Sequence, residues 1–158
     1  MTSPGSTMPP AYLDTLLRYY EEEISGEAYF YGLASFYQET EKVNLLAEIE
    51  RKAAATVEPL LRKYGLVPAA TEQLRRIGER HLSGHRGMSW NGFMEHIVQR
   101  YPLYLDEFHA LEAMAPAEDL PDLQRMSAHE VAVIEFAERE LEGSAQSTQP
   151  LRQYLSQG

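Results

Sequence analysis

The chain has 158 residues, 44% of them hydrophobic, which suits one domain with a real core and leaves little room for a second. Its formal net charge of −10 argues against nucleic acid as a partner, because phosphates demand a surplus of Lys and Arg. The absence of cysteine excludes disulfides, thiolate catalysis and Cys-ligated zinc or iron–sulfur centres, and no apolar run approaches the ~20 residues of a membrane span.

The opening MTSPGSTMPP has neither the basic nor the apolar stretch of a signal peptide, so a cytoplasmic, soluble protein is expected. Residues 1–9 read as a disordered tail, and Pro10 suits the first position of a helix that runs to about residue 36. At helical spacing, Leu13, Leu16/Leu17, Tyr20, Ile24, Glu27, Tyr31 and Ala34 form its inward stripe. A second helix runs from Thr40 to Tyr64, interrupted by Pro59 and stopped by Gly65. A shorter amphipathic piece covers Thr71–Leu82, followed by the glycine-broken loop Ser83–Ser89. The third long helix starts near Trp90 and reaches Met114 through Pro102, with Phe93, Ile97, Tyr101/Tyr104, Glu107/Phe108 and Leu111 inward. Pro121 opens a fourth helix that ends at Gly143, with Leu123, Met126, Glu130, Val133, Ala137 and Leu141 inward. The tail, residues 143–158, is polar apart from Leu151, Tyr154 and Leu155, which either dock back or meet a partner. No stretch alternates with period 2. The fold class is therefore all-α: two hairpins and a short extra helix between them, packed as a four-helix bundle over residues 10–142.

One carboxylate falls on each inward stripe. Glu27 and Glu50 are 23 residues apart across the first hairpin, and Glu107 and Glu130 are again 23 apart across the second. Antiparallel packing sets each pair at one height, so four carboxylates meet at mid-bundle with Tyr31 and Tyr104 beside them. Four negative charges in a poorly hydrated core must be protonated or neutralised by cations, and two divalent metals would serve. The bland alternative is that these are surface glutamates in an acidic chain.

The words GEAYFYGLA and LAEIERKAAATVEPLLRKYGL in the first hairpin, with AHEVAVIEFAERELEG in the fourth helix, resemble the ferritin-like superfamily, in particular rubrerythrin-like di-iron carboxylate bundles. The resemblance spans roughly residues 12–142. It implies an up-down four-helix bundle holding two iron or manganese ions. It also implies a Glu from the first and third helices and Glu-x-x-His from the second and fourth. By position the carboxylates are Glu27, Glu50, Glu107 and Glu130, whereas Ala53 and Val133 stand where the histidines belong. That departure leaves an all-carboxylate site, a site completed by a displaced histidine, or a bundle without metal. His129 is the leading substitute, ahead of His109, with His81, His85 and His96 behind.

The resemblance implies an oxidoreductase using dioxygen or peroxide, with Tyr31 or Tyr104 tuning the site and a small-molecule substrate. The alternative is a metal-free or single-metal bundle acting as a small-molecule binding or protein-interaction module. The tyrosines crowded on the first helix, Tyr12, Tyr19, Tyr20, Tyr29, Tyr31 and Tyr37, suit a cavity lining or the face of a homodimer, and because they point to more than one side some of them should meet a second subunit or the short inter-hairpin helix.

Overall fold

A computed structural model describes residues 8–157 of the chain, and the tail expected over residues 1–9 lies, up to residue 7, outside them. Four long helices form the core: α1 (Pro10–Gly32), α2 (Thr40–Lys63), α4 (Trp90–Met114) and α5 (Leu120–Leu141). Two shorter ones are added, α3 (Thr71–Arg80) and α6 (Gln149–Ser156), and no strand occurs among the described residues. Both interior prolines, Pro59 and Pro102, are accommodated inside continuous helices. The first helix is shorter than predicted. It gives way after Gly32 to a 3-10 turn over Leu33–Ser35.

Gly65 and Gly143 close α2 and α5 as the sequence suggests, at φ 66° and 73°. At each end the amide two residues past the cap returns to a carbonyl in the last turn, Leu66 to Leu61 at 2.8 Å and Ser144 to Arg139 at 3.0 Å. Only a residue that tolerates left-handed backbone closes a helix this way without strain.

The α1–α2 and α4–α5 pairs are antiparallel hairpins. Between them α3 carries the chain back along the outside of α1, so α2 and α4 run in the same direction. Each end of the bundle is fastened by a polar or aromatic clasp. At one end Asp119, fully buried in the α4–α5 turn, accepts hydrogen bonds from Tyr12 at 2.7 Å, Tyr64 at 2.5 Å and Lys63 Nζ at 2.7 Å. Burial pushes the Asp119 carboxyl up, but these three donors outweigh it and leave its pKa below the ordinary value. At the other end Tyr37 stacks on Phe93 and meets Trp90 edge-on. There Glu140 accepts from Trp90 Nε1 at 2.8 Å and pairs with Lys42 at 2.8 Å. His85, buried on the 3-10 turn after α3, has the Tyr29 and Tyr37 hydroxyls on its two ring nitrogens.

The polar tail expected after Gly143 folds back as α6. Leu151 and Tyr154 are buried, and the Tyr154 hydroxyl donates to the Arg125 carbonyl at 3.0 Å. Lys52 Nζ caps α6 by donating to the carbonyls of Tyr154 and Leu155, each at 3.0 Å. The patch that docks back or meets a partner thus docks back.

A candidate metal centre

The buried face of α1 consists of Tyr12, Leu16, Tyr19, Glu23, Glu27 and Phe30. This stripe lies one position from the predicted one. It keeps Glu27, adds Glu23, and turns Tyr20, Ile24 and Tyr31 away from the centre. The run Glu21–Glu22–Glu23 offers a carboxylate in three successive helical directions, and packing selects the third.

Glu23 meets Glu50 of α2 and His129 of α5. Among the described residues these three form the one set of His, Asp and Glu groups whose donor atoms all lie within 4.8 Å of one another. His129 is fully buried, and its Nε2 lies 3.1 Å from Glu23 Oε2, 3.3 Å from Glu50 Oε2 and 3.8 Å from Glu130 Oε2. The ring is oriented by its other nitrogen, since Nδ1–H donates to the Met126 carbonyl one turn earlier. That bond places the proton on Nδ1 and aims the Nε2 position at the carboxylates, as in histidines that ligate metals. Both His129 and Glu130 are buried although adjacent, because α5 is covered by α4 on one side and by α2 and α6 on the other.

Four buried polar atoms have no partner in hydrogen-bonding geometry: Glu23 Oε2, Glu27 Oε2, Glu130 Oε1 and His129 Nε2. Such orphans cost on the order of 1–3 kcal/mol each, and more when charged. Three of them belong to the cluster or to its immediate neighbour Glu130. A cation held by Glu23, Glu50 and His129 would satisfy Glu23 Oε2 and His129 Nε2 together, so the residues present fit a metal ion.

The other predicted site residues are distributed differently. Glu27 is buried beside the cluster, where Arg51 Nε approaches its Oε2 at 2.7 Å, out of line for a good hydrogen bond. Glu107 is exposed on α4 and accepts a long 3.4 Å hydrogen bond from Tyr19. The alternative at that step, Phe108, is the buried one. Tyr31 and Tyr104 are 40% and 45% exposed and stand outside the cluster. His109 is exposed. Tyr101, also on α4, is buried, and the tyrosine ring against His129 is that of Tyr154, at 6.4 Å between centroids. Burial, then Tyr29 and Glu130, push the Tyr101 pKa well above the ordinary value. Gly26 completes the arrangement: a Cβ there would sit 3.2 Å from Glu50 Cδ and 3.3 Å from its Oε1, so the missing side chain leaves room for that carboxylate.

Protons compete with a metal for this set. Burial alone would lower the His129 pKa, but the adjacent Glu23 and Glu130 carboxylates outweigh it and push it up from 6.5 to about 10. Burial raises Glu130 from 4.5 to about 8, with His129 opposing and Glu23 reinforcing the shift. Both folded-state values exceed the unfolded ones, so the folded chain holds more protons over these windows. The stabilisation is complete below the unfolded pKa and is lost as pH rises through the folded one. Metal-free protein is therefore expected to lose stability between about pH 4.5 and 10, with a slope of up to about 1.4 kcal/mol per pH unit for each proton. Metal affinity is expected to run the other way and rise with pH, because binding displaces those protons. Urea denaturation at a series of pH values, with and without Mn2+, reads both slopes; parallel slopes would refute the competition.

Fold and cluster together define a class, an all-α bundle with a buried carboxylate–imidazole set able to chelate a metal ion. No helix among the described residues is long and apolar enough to cross a membrane. Compared with known proteins, the chain matches no family model, no curated protein and no solved structure.

Proposed function

We propose that the protein is a metal-binding bundle of the ferritin-like kind, whose Glu23, Glu50 and His129 hold a divalent cation of the first transition row. The observation that carries this reading is the buried approach of His129 Nε2 to Glu23 Oε2 at 3.1 Å, outside hydrogen-bonding geometry, with Glu50 Oε2 at 3.3 Å beside it. A long crossover between two antiparallel hairpins supports the ferritin-like arrangement. Two carboxylates and one imidazole suit iron(II), manganese(II) or zinc(II) better than a soft ion such as copper(I). A bound redox metal with open coordination positions would supply chemistry toward dioxygen or peroxide, and an oxidoreductase acting on a small substrate is the activity in keeping with it. The chain's own part is to fix the imidazole through Met126, exclude water by burial, and place Glu130 as a proton-holding group beside the ligands.

A second reading, with two ions, is favoured by the orphaned Glu27 Oε2 and Glu130 Oε1. Glu27 would then exchange Arg51 for the second metal. Anaerobic titration with Fe2+ and Mn2+, read by calorimetry and by metal analysis after desalting, separates the alternatives. One ion per chain supports the single site, and two support the dinuclear one. A chain that stays empty under both metals would remove the metal reading and leave a binding or interaction module.

A further inference from the structure

An added helix lies on three of the four long ones. α3 packs along α1, and α6 packs on both α2 and α5. α4 has no such cover, since it packs extensively against α5 and only sparsely against α1. Its inner side is closed, with buried Tyr19 edge-on to Phe108 and buried Phe30 against Phe93. What remains is the outer face of α4, uncovered among the described residues.

That face is apolar at its centre and charged on either side. Leu103 is 56% exposed, and Tyr104 and Met114 are exposed on the same helix. Arg100 and Glu107 are exposed as well, and their spacing of seven residues sets them two turns apart on one line along the helix. Leu103 and Tyr104 fall between them, one on each flank of that line. Among the described residues Arg100 enters no ion pair, and Glu107 has only the long 3.4 Å bond from the Tyr19 hydroxyl.

The pattern is its own complement. Arg100 and Glu107 stand equally far along the helix from the midpoint between Leu103 and Tyr104. A two-fold axis at that level, perpendicular to the helix, lays a second α4 antiparallel on the first. Each Arg100 then meets Glu107 of the partner subunit, while Leu103 and Tyr104 meet their own counterparts between the two ion pairs.

We propose that the outer face of α4 is the interface of a homodimer, closed around Leu103 and Tyr104 by two reciprocal Arg100–Glu107 pairs. The apolar centre supplies the burial, and the charges fix the orientation, because a parallel arrangement in register would set Arg100 against Arg100 and Glu107 against Glu107. The tyrosines of α1, expected to offer such a face, are largely turned inward: Tyr12 and Tyr19 are buried, and Tyr29 bonds to His85. Glu107, one of the predicted ligands, serves instead on the surface.

The test is sedimentation equilibrium of the full-length chain and three variants, with a chelator present so that the outcome is independent of the metal reading. Wild-type chains of 18.0 kDa should associate as dimers at micromolar concentration. Arg100→Glu and Glu107→Arg each set like charges against one another twice per dimer, and each should raise the dissociation constant about 100-fold or more. The double swap Arg100→Glu/Glu107→Arg should return it to within about 10-fold of wild type, with helix content by circular dichroism the same in all four proteins. A monomeric wild type would overturn the interface and leave the face to a different partner. A dimer indifferent to the single substitutions, or one that the double swap fails to restore, would overturn it as well.

Discussion

Replacing His129 with alanine is expected to weaken divalent-metal binding at least 100-fold and to destabilise the metal-free protein by about 3 kcal/mol. The first effect follows from geometry. His129 supplies the only nitrogen of the set and touches both partner carboxylates within 3.3 Å. The loss of a group that merely orients a ligand costs roughly 10–100-fold in affinity, so loss of a ligand should cost at least that. The second effect follows from charge. At neutral pH the imidazole, with its pKa pushed up to about 10, is the cation that faces Glu23 in the absence of metal. Removing one member of a buried pair leaves the other uncompensated, at a typical cost of about 3–5 kcal/mol. Co2+ titration by visible absorption and urea denaturation of the metal-free variant read the two effects separately. A variant that binds Co2+ as the wild type does would dismiss His129 as a ligand. One that loses stability but not affinity would make it a structural ion pair.

The second large effect is expected at the contact between α3 and α1. Gly78 faces α1 so closely that a Cβ would stand 2.0 Å from the Ser25 carbonyl oxygen and 3.1 Å from the Tyr29 amide nitrogen. The obstacle is backbone, so no rotamer change relieves it, and α3 would have to lift away from α1. Lifting would also break the bond from the Ser25 hydroxyl to the Leu74 carbonyl, 2.9 Å long. Overpacking costs about 1–3 kcal/mol and the lost bond about 1 more, against a gain of roughly 1 kcal/mol in helix propensity. Gly78→Ala should therefore lose about 2 kcal/mol, lowering the melting temperature by roughly 4–8 °C in a chain of this size. Gly84→Ala is the matched control, since nothing lies within 4 Å of its Cβ position. Equal melting temperatures for the Gly78 variant and the wild type would contradict the close approach.

The bundle was legible because its signals are redundant. Apolar periodicity is joined at each long helix by at least one boundary signal, Pro10 for α1, Gly65 for α2, Ser89 for α4, and Pro121 and Gly143 for α5, so an error at one signal is limited by the others. The cluster lacks that redundancy. On α1 the tyrosines face several sides, so two stripes one position apart score nearly alike, and only packing against α2 and α5 selects Glu23. On α4 the choice between Glu107 and Phe108 was open in the sequence, and burial favoured the ring. The equal spacings of 23 residues placed Glu50 and Glu130 at the centre but carried Glu107 with them, since spacing fixes height along a helix and not direction around it. His129 could be found because its neighbour Glu130 was already on the stripe, and a broad buried face on α5 accommodates both. Tyrosines on more than one side of α1 pointed to the short inter-hairpin helix or a second subunit as their cover, and α3 does pack on α1, but the closeness of that contact was hidden because it depends on one glycine meeting one carbonyl.

The clasps at the two ends of the bundle bear on how the centre can adapt. Asp119 ties α1 and α2 to the α4–α5 turn at one rim, while Trp90, Lys42 and Glu140 tie α2, α4 and α5 at the other. With α2 and α5 pinned at both rims, Glu50 and His129 keep their relative heights, and adjustment between them falls to side-chain torsions. His129 has no such freedom, since Met126 holds its ring. Glu23 and Glu50 keep theirs, with Gly26 leaving space beside the Glu50 carboxylate. The imidazole is thus the fixed point of the cluster, and a bound ion of larger or smaller radius would have to be met on its carboxylate side.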